Sequence, residues 1–474
     1  MSESFAGLIT VYLWVPAIIF AIGWLRPVPC VLSLVGLLLL TGRAAVKAFG
    51  GLSWRNLRRD APALGVFAVL ALGWVVLSGC GGWAHQNSDY FKHNGVLGDL
   101  IHRTWPVSYT AAENASTPGS LIYYVGYYLP AAAVGKWLGH PAGQNFIVFW
   151  TWLGVVLSLC AFSTVVSADR STRRQVLCAL FFIVASGADA LGTYVVSGAF
   201  PALGVHVEWW SGIGEYASNT TSLYWVPQHA LAGWLAASVA LADENDSRSF
   251  VCLLEVVAGT LLWSPFVAIG LLPFVVARWL LLRKKFAFKV VLEGVLLAGW
   301  CGIIAVFLMA ARTKVPMHWI FTEERYTFLR LLGFYLLEFG VLAFIIRKCP
   351  EVRERSYWLF IATLLGLAVW PLVSLGASSD LTMRASIPGL FCFWVFVARA
   401  LFSANMPRLE RRLLEWLVLA GSVTAISEMA RGLQLPQPER YVVNEYTSVM
   451  QMPHEDTLQY VGKPRHAVSG WLFK

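Results

Sequence analysis

Charge is scarce in this 474-residue chain: Asp, Glu, Lys and Arg together make up only 13% of it, about half the share usual in soluble globular domains. With 57% hydrophobic residues and a mean hydropathy of +0.62, that shortage excludes a soluble domain and points to a chain that lives in a bilayer. Nucleotide and metal signatures are missing as well. There is no GxxxxGK[ST] loop, no strand followed by GxGxxG, no HExxH and no CxxC, so nucleotide hydrolysis, dinucleotide redox chemistry and zinc catalysis lose their usual motifs. The eight cysteines (Cys30, Cys80, Cys160, Cys178, Cys252, Cys301, Cys349, Cys392) fall within or at the ends of apolar runs and read as small buried hydrophobes. No internal repeat or low-complexity segment occurs.

What is present is a succession of apolar runs of about 17 to 25 residues, the length that crosses a bilayer as a helix. Thirteen spans are expected, at about 8–25, 28–46, 61–79, 144–166, 174–191, 225–242, 249–263, 266–282, 287–310, 328–347, 357–376, 386–403 and 412–428. The first run lacks a basic n-region and a cleavage site, so it is expected to be retained as a span. The fold class is an all-α polytopic membrane protein.

The formal charge of +9 is spread over short loops, the positive-inside pattern and not a nucleic-acid footprint. With the amino terminus in the cytoplasm, Arg43, Lys47, Arg55, Arg58 and Arg59, then Arg170, Arg173 and Arg174, then Arg408, Arg411 and Arg412 all fall inside. The outward face then carries the polar loops 81–143, 192–224, 311–327 and 377–385 and a tail from about 429. The segment 121–138 is hydrophobic enough to span, but counting it would turn Arg170, Arg173 and Arg174 outward. With four Tyr within six residues it is expected as a helix lying at the outer interface.

Chemistry is expected in the outward loops, above all in 85–106. There Asp89, Lys92 and His93 stand at i, i+3 and i+4, one side of a helix. A carboxylate beside cations stays ionised near neutral pH, as a base for a sugar hydroxyl requires. Asp99, His102 and Arg103 repeat the pattern ten residues on, so Asp89 and Asp99 both remain candidates for the base. Asn94, Trp105, Tyr124, Glu208, Gln228 and His229 are candidate substrate contacts, aromatic walls and hydrogen-bonding groups near the outer boundary. Arg384, one turn after Asp380 at the mouth of a span, is the favoured cation for a phosphate leaving group, with Arg325, His318 and Lys92 beside it.

This pattern resembles the GT-C superfamily of membrane glycosyltransferases. Asp89 matches the family's acid in the first long outward loop, and Pro118-Gly119-Ser120-Leu121 with 121–138 matches its interfacial helix. The resemblance implies an inverting transfer from a polyprenyl-phosphate sugar to a glycan or glycolipid acceptor, with an Asp base and loop cations on the donor phosphate. It also implies a multi-pass protein of the bacterial inner or plasma membrane with its site on the extracytoplasmic side. Residues 1–60 would be two added helices and a basic loop, 61–428 the catalytic domain and 429–474 an extracytoplasmic tail. The tail lacks a Ser-Trp-Trp-Asp-like signature, which argues against the metal-dependent oligosaccharyltransferases, so neither metal nor cofactor is expected. The rival readings are a ligase or polymerase of O-antigen type using a diphosphate-linked glycan, and a lipid or sugar transporter.

Overall fold

A computed structural model describes residues 3–51, 54–111, 118–242, 247–282, 288–311, 316–322, 327–375, 379–433, 446–453, 457–464 and 469–474. Three long helices open the chain: α1 (Glu3–Trp24), α2 (Pro27–Gly50) and α3 (Trp54–Leu77). The polar stretch forms α4 (Asp89–His102), and the short strands β1 (Ser108–Tyr109) and β2 (Gly119–Leu121) lead to α5 (Leu129–Leu138). Then come α6 (His140–Val166), α7 (Thr172–Val184), α8 (Asp189–Ser197), α9 (Asn219–Trp225), α10 (Pro227–Ala240), α11 (Ser247–Thr260), α12 (Pro265–Leu282) and α13 (Phe288–Leu308). Strand β3 (Met317–Trp319) precedes α14 (Phe328–Tyr335), which runs through a π turn at Leu336–Gly340 into α15 (Val341–Ile346). The chain closes with α16 (Pro350–Val369), β4 (Val373–Leu375), α17 (Asp380–Leu401), α18 (Arg408–Gly432) and, in the tail, β5 (Val461–Gly462).

The protein is a 74% helical, polytopic membrane protein. Among the described residues nine helices are long and apolar enough to cross a bilayer, with Thr172–Ser197 and Phe328–Ile346 each counted as one. The expected count of thirteen is therefore not reproduced. The runs at 249–263, 287–310 and 357–376 are shorter apolar helices, Ser249–Thr260, Glu293–Leu308 and Ser356–Leu372. The run at 225–242 is cut by Pro227, whose ring disfavours helical geometry at Val226. Past that break runs α10, a 14-residue helix with every residue buried. A helix apolar on all sides and buried on all sides belongs at the centre of a bundle. It lies there beside α17, 89% of whose apolar window is also buried.

Helix α1 is packed into this centre. Tyr12 stacks on Trp150 at 4.2 Å and its hydroxyl donates to the Trp150 carbonyl, while Trp263 Nε1 donates to the Leu13 carbonyl at 3.0 Å. By contrast α2 leaves most of its apolar window uncovered. The tail joins the bundle too. β5 extends β1 and β2 into a three-stranded sheet, Gly462 bridges to Ala311, and Phe473 bridges to Leu25.

Two arginines near the ends of α17 and α12 cap the ends of neighbouring helices. Arg399 donates from Nε and Nη2 to the Val165 carbonyl at the end of α6, at 3.0 and 2.7 Å, and Arg278 donates to the Ala240 and Ala242 carbonyls at the end of α10. The last carbonyls of a helix have no intrahelical donor and carry the negative end of its dipole, so a guanidinium fits there. Because Arg399 is buried, replacing it with Met strands those carbonyls. Arg399→Met is expected to lower stability by about 1.5–3 kcal/mol, read as a fall in melting temperature in lipid nanodiscs; an unchanged melting temperature would contradict the capping role.

The Tyr-rich segment corrects an expectation. It is not an amphipathic helix over 121–138: residues 122–128 form a turn, and only Leu129–Leu138 is helical. Gly126 donates its N–H to the Leu262 carbonyl at 2.8 Å, an approach so close that a β-carbon would meet that carbonyl. The turn aims its rings inward, and Tyr123, Tyr127 and Tyr128 are buried. Buried tyrosines need hydroxyl partners, and Thr151 serves Tyr127 while His93 serves Tyr128.

Candidate functional site

Helix α4 begins where Asn87 Oδ1 accepts the Asp89 N–H at 3.0 Å, which places the Asp89 carboxylate at the positive end of the helix. One turn on, Lys92 Nζ donates to Asp89 Oδ2 at 2.6 Å. Lys92 is almost fully covered, whereas the Asp89 side chain keeps 30% of its surface exposed and Oδ1 takes no hydrogen bond among the described residues. Burial pushes the Asp89 carboxyl up, but the charges of Lys92 and Arg384 and the Lys92 hydrogen bond outweigh it and hold it below its ordinary value.

His93 sits beneath this pair. Its Nε2 lies 2.9 Å from the Trp225 carbonyl and its Nδ1 2.6 Å from the Tyr128 hydroxyl. A carbonyl only accepts, so Nε2 carries the proton and Nδ1 accepts from Tyr128. Burial, helped by Lys92, pushes the imidazole down to about 3, and His93 is neutral. With both nitrogens engaged, its role is to orient α4 on α9.

Arg384 of α17 closes the site from the other side. Its Nη2 pairs with Asp380 at 3.0 Å, its Nη1 donates to the Tyr124 hydroxyl at 3.3 Å, and its buried Nε has no hydrogen-bond partner among the described residues. Tyr124 packs 3.8 Å from Tyr123 and 5.0 Å from the His229 ring at the start of α10. His229 Nδ1 is bonded to Ser264 Oγ at 2.5 Å, leaving Nε2 buried and unpartnered among the described residues. Both amide atoms of Gln228, which is 0% exposed, are likewise without a partner among them. Arg384 and His229, joined through Tyr124, and Gln228 next to His229 in the chain carry unmet donors or acceptors, and since orphaned buried groups are rare they mark a place suited to a polar ligand.

The structure thus brings Asp89, Lys92, His93, Tyr124, Gln228, His229, Asp380 and Arg384 to one end of the bundle. Sequence reasoning missed Ser264, Tyr128 and Tyr460, the last packed 4.9 Å from Tyr123. Four candidates do other work. Asp99, 0% exposed, accepts hydrogen bonds from Arg103, Tyr109, Tyr446, Ser448 and the Val449 N–H. Saturated in this way, it has no lone pair free for a substrate proton. Arg103 is its partner, Asn94 donates to Gln86 at 3.1 Å, and Trp105 donates to the Leu100 carbonyl and packs on Trp24. His318 lies in β3 opposite Ser374. Arg325 lies outside the described residues.

Glu208 belongs to a second polar cluster on the far side of Trp225, with His206, Glu215, Glu428 and Arg431. His206 lies 5.4 Å from the Trp225 ring and Arg431 stacks over it at 4.8 Å.

The fold and these clusters define a multi-pass α-helical membrane protein with a buried polar site at one end of its bundle. No protein-family model matches the chain, and neither a characterised protein nor a solved structure matches it.

Proposed function

We propose that the protein is a membrane glycosyltransferase that moves a sugar from a polyprenyl-phosphate donor to a glycan or glycolipid acceptor on the extracytoplasmic face. The observation that carries this reading is one part-exposed carboxylate, Asp89, held ionised by Lys92 and by the charge of Arg384, a part-buried guanidinium whose Nε–H has no partner among the described residues. The carboxylate takes the proton of the acceptor hydroxyl as its oxygen attacks the anomeric carbon. Arg384, with Lys92 and His229, stabilises the phosphate as the glycosidic bond breaks, where preorganised donors have their largest effect. Tyr124 and Gln228 offer a wall and an amide for the sugar.

The test is incubation of the chain in nanodiscs with radiolabelled polyprenyl-phosphate sugars and glycolipid acceptors. Label reaching an acceptor supports the reading; transfer from a diphosphate-linked glycan alone favours a ligase or polymerase; no transfer from either rejects it.

The pH profile adds a second check. Asp89 is held below the carboxylate value of about 3.9 and His93 at about 3. A depressed carboxyl is ionised above its own pKa and loses activity only as pH falls through it, and His93 stays neutral above about 3. The rate is therefore expected to have no acid limb between about pH 5 and 8. A limb centred near 6.5 would mean that a histidine titrates in the reaction.

A further inference from the structure

The cluster beyond Trp225 is better equipped than packing requires. His206, Glu208 and Glu215 each place one ligand atom within 4.8 Å of those of the other two. His206 Nδ1 lies 2.7 Å from Glu428 Oε1, so it donates there, and Nε2 faces Glu215 Oε2 at 3.4 Å without a hydrogen bond. Glu208 is 0% exposed. Its Oε1 accepts from the Ser218 N–H at 2.7 Å and from Thr221 Oγ1 at 3.0 Å, while Oε2 is buried with no partner among the described residues. Behind them, Glu428 is held by the Trp225 indole and Arg431, both at 3.4 Å from Oε2.

We propose that His206 Nε2, Glu208 and Glu215 bind a divalent transition-metal cation, Zn²⁺ or Mn²⁺, with Glu428 orienting the histidine from behind. A ligating imidazole characteristically donates its other N–H to a carboxylate, which fixes the tautomer and turns the remaining lone pair to the metal. His206 and Glu428 have that relation, and the two carboxylates lie on the lone-pair side. The unmet oxygen points the same way: Glu208 Oε2 is buried with no partner among the described residues, and a buried carboxylate is accommodated only when paired or coordinated to metal. One nitrogen and two oxygens suit Zn²⁺ or Mn²⁺, whereas Ca²⁺ and Mg²⁺ select oxygen alone. Metal–ligand distances of about 2.0–2.2 Å set tetrahedral ligand atoms about 3.4 Å apart, so a separation of up to 4.8 Å closes by about 1 Å on binding, a movement open to Glu215 on its loop. The cation would tie residues 206–215 to the end of α18 and the start of α9.

The test uses the full chain in nanodiscs, stripped with a chelator and dialysed against ZnCl₂, MnCl₂, MgCl₂ or CaCl₂ in turn. Bound metal is measured by inductively coupled plasma mass spectrometry beside the melting temperature. About one Zn²⁺ or Mn²⁺ per chain and a raised melting temperature are expected, with His206→Gln and Glu208→Gln each removing both effects. A Co²⁺-loaded wild-type chain adds a readout that needs no variant: visible ligand-field bands displaced from those of aqueous Co²⁺. Retention of only Ca²⁺ or Mg²⁺, no metal above the empty-nanodisc blank, or equal retention by both variants would each overturn the proposal.

Discussion

Asp89→Asn is expected to lower the turnover of sugar transfer by about 10²–10⁴, the range that a positioned general base contributes, while donor binding changes little. The amide keeps the size and shape of the carboxylate and loses only its charge and its capacity to take a proton. The effect should therefore fall on kcat and not on KM, the sign of an interaction made only in the transition state. One complication is built into the site. Lys92 is almost fully covered and Asp89 is its partner, so the single variant strands a buried ammonium and loses stability as well. The double variant Asp89→Asn/Lys92→Met removes both charges. It should recover the melting temperature and remain inactive. Recovery of both would remove Asp89 and Lys92 alike from the reaction and leave them as a structural ion pair, and near-normal transfer by folded Asp89→Asn would end the base assignment.

What could be read from the chain in advance was whatever depends on local spacing. The i, i+3, i+4 pattern of Asp89, Lys92 and His93 became one face of α4, and Asp380 with Arg384 became an i, i+4 ion pair. The alternation of apolar runs brought Gln228, His229 and Arg384 to the same end of the bundle as Asp89, because each stands at a boundary expected to face outward. Other features depend on distant partners and left no local sign. Asp99 repeats the spacing of Asp89, yet it is saturated by groups up to 350 residues away. The tyrosines of 123–128 suit an interfacial helix by composition, but Gly126 packs on the Leu262 carbonyl and turns them inward. Glu208, Glu215 and Glu428 resemble isolated loop and helix acids, and only the packing of α9 and α18 around Trp225 gathers them. Sequence spacing finds pairs within one element; sites assembled from several elements emerge only with their contacts.

The contrast between the two aspartates of α4 leads to the second large effect. Asp99→Asn is expected to destabilise the protein by about 3–5 kcal/mol, the cost of breaking a buried ion pair by removing one partner. Asp99 Oδ1 accepts from Arg103 Nε at 3.2 Å and Tyr446 at 2.7 Å; Oδ2 accepts from Tyr109 at 2.7 Å and from Ser448 Oγ and the Val449 N–H, both at 3.1 Å. Every contact is a donor, so an asparagine amide turned either way sets a donor against donors, and Arg103 loses its counter-charge. Those donors come largely from the tail, which lies along Gly95 and Gly98 of α4, where a β-carbon would collide with the Ser448–Val449 and Thr447 backbone. Loss of Asp99 should therefore undock residues 446–453 and loosen Tyr460 from Tyr123. A lower melting temperature together with faster proteolysis of the tail is expected, and wild-type values for both would remove Asp99 from this role. Activity separates the two residues. Per folded molecule Asp99→Asn should lose far less turnover than Asp89→Asn, since one carboxylate holds the site together and the other, with an oxygen still open, is placed to act in it.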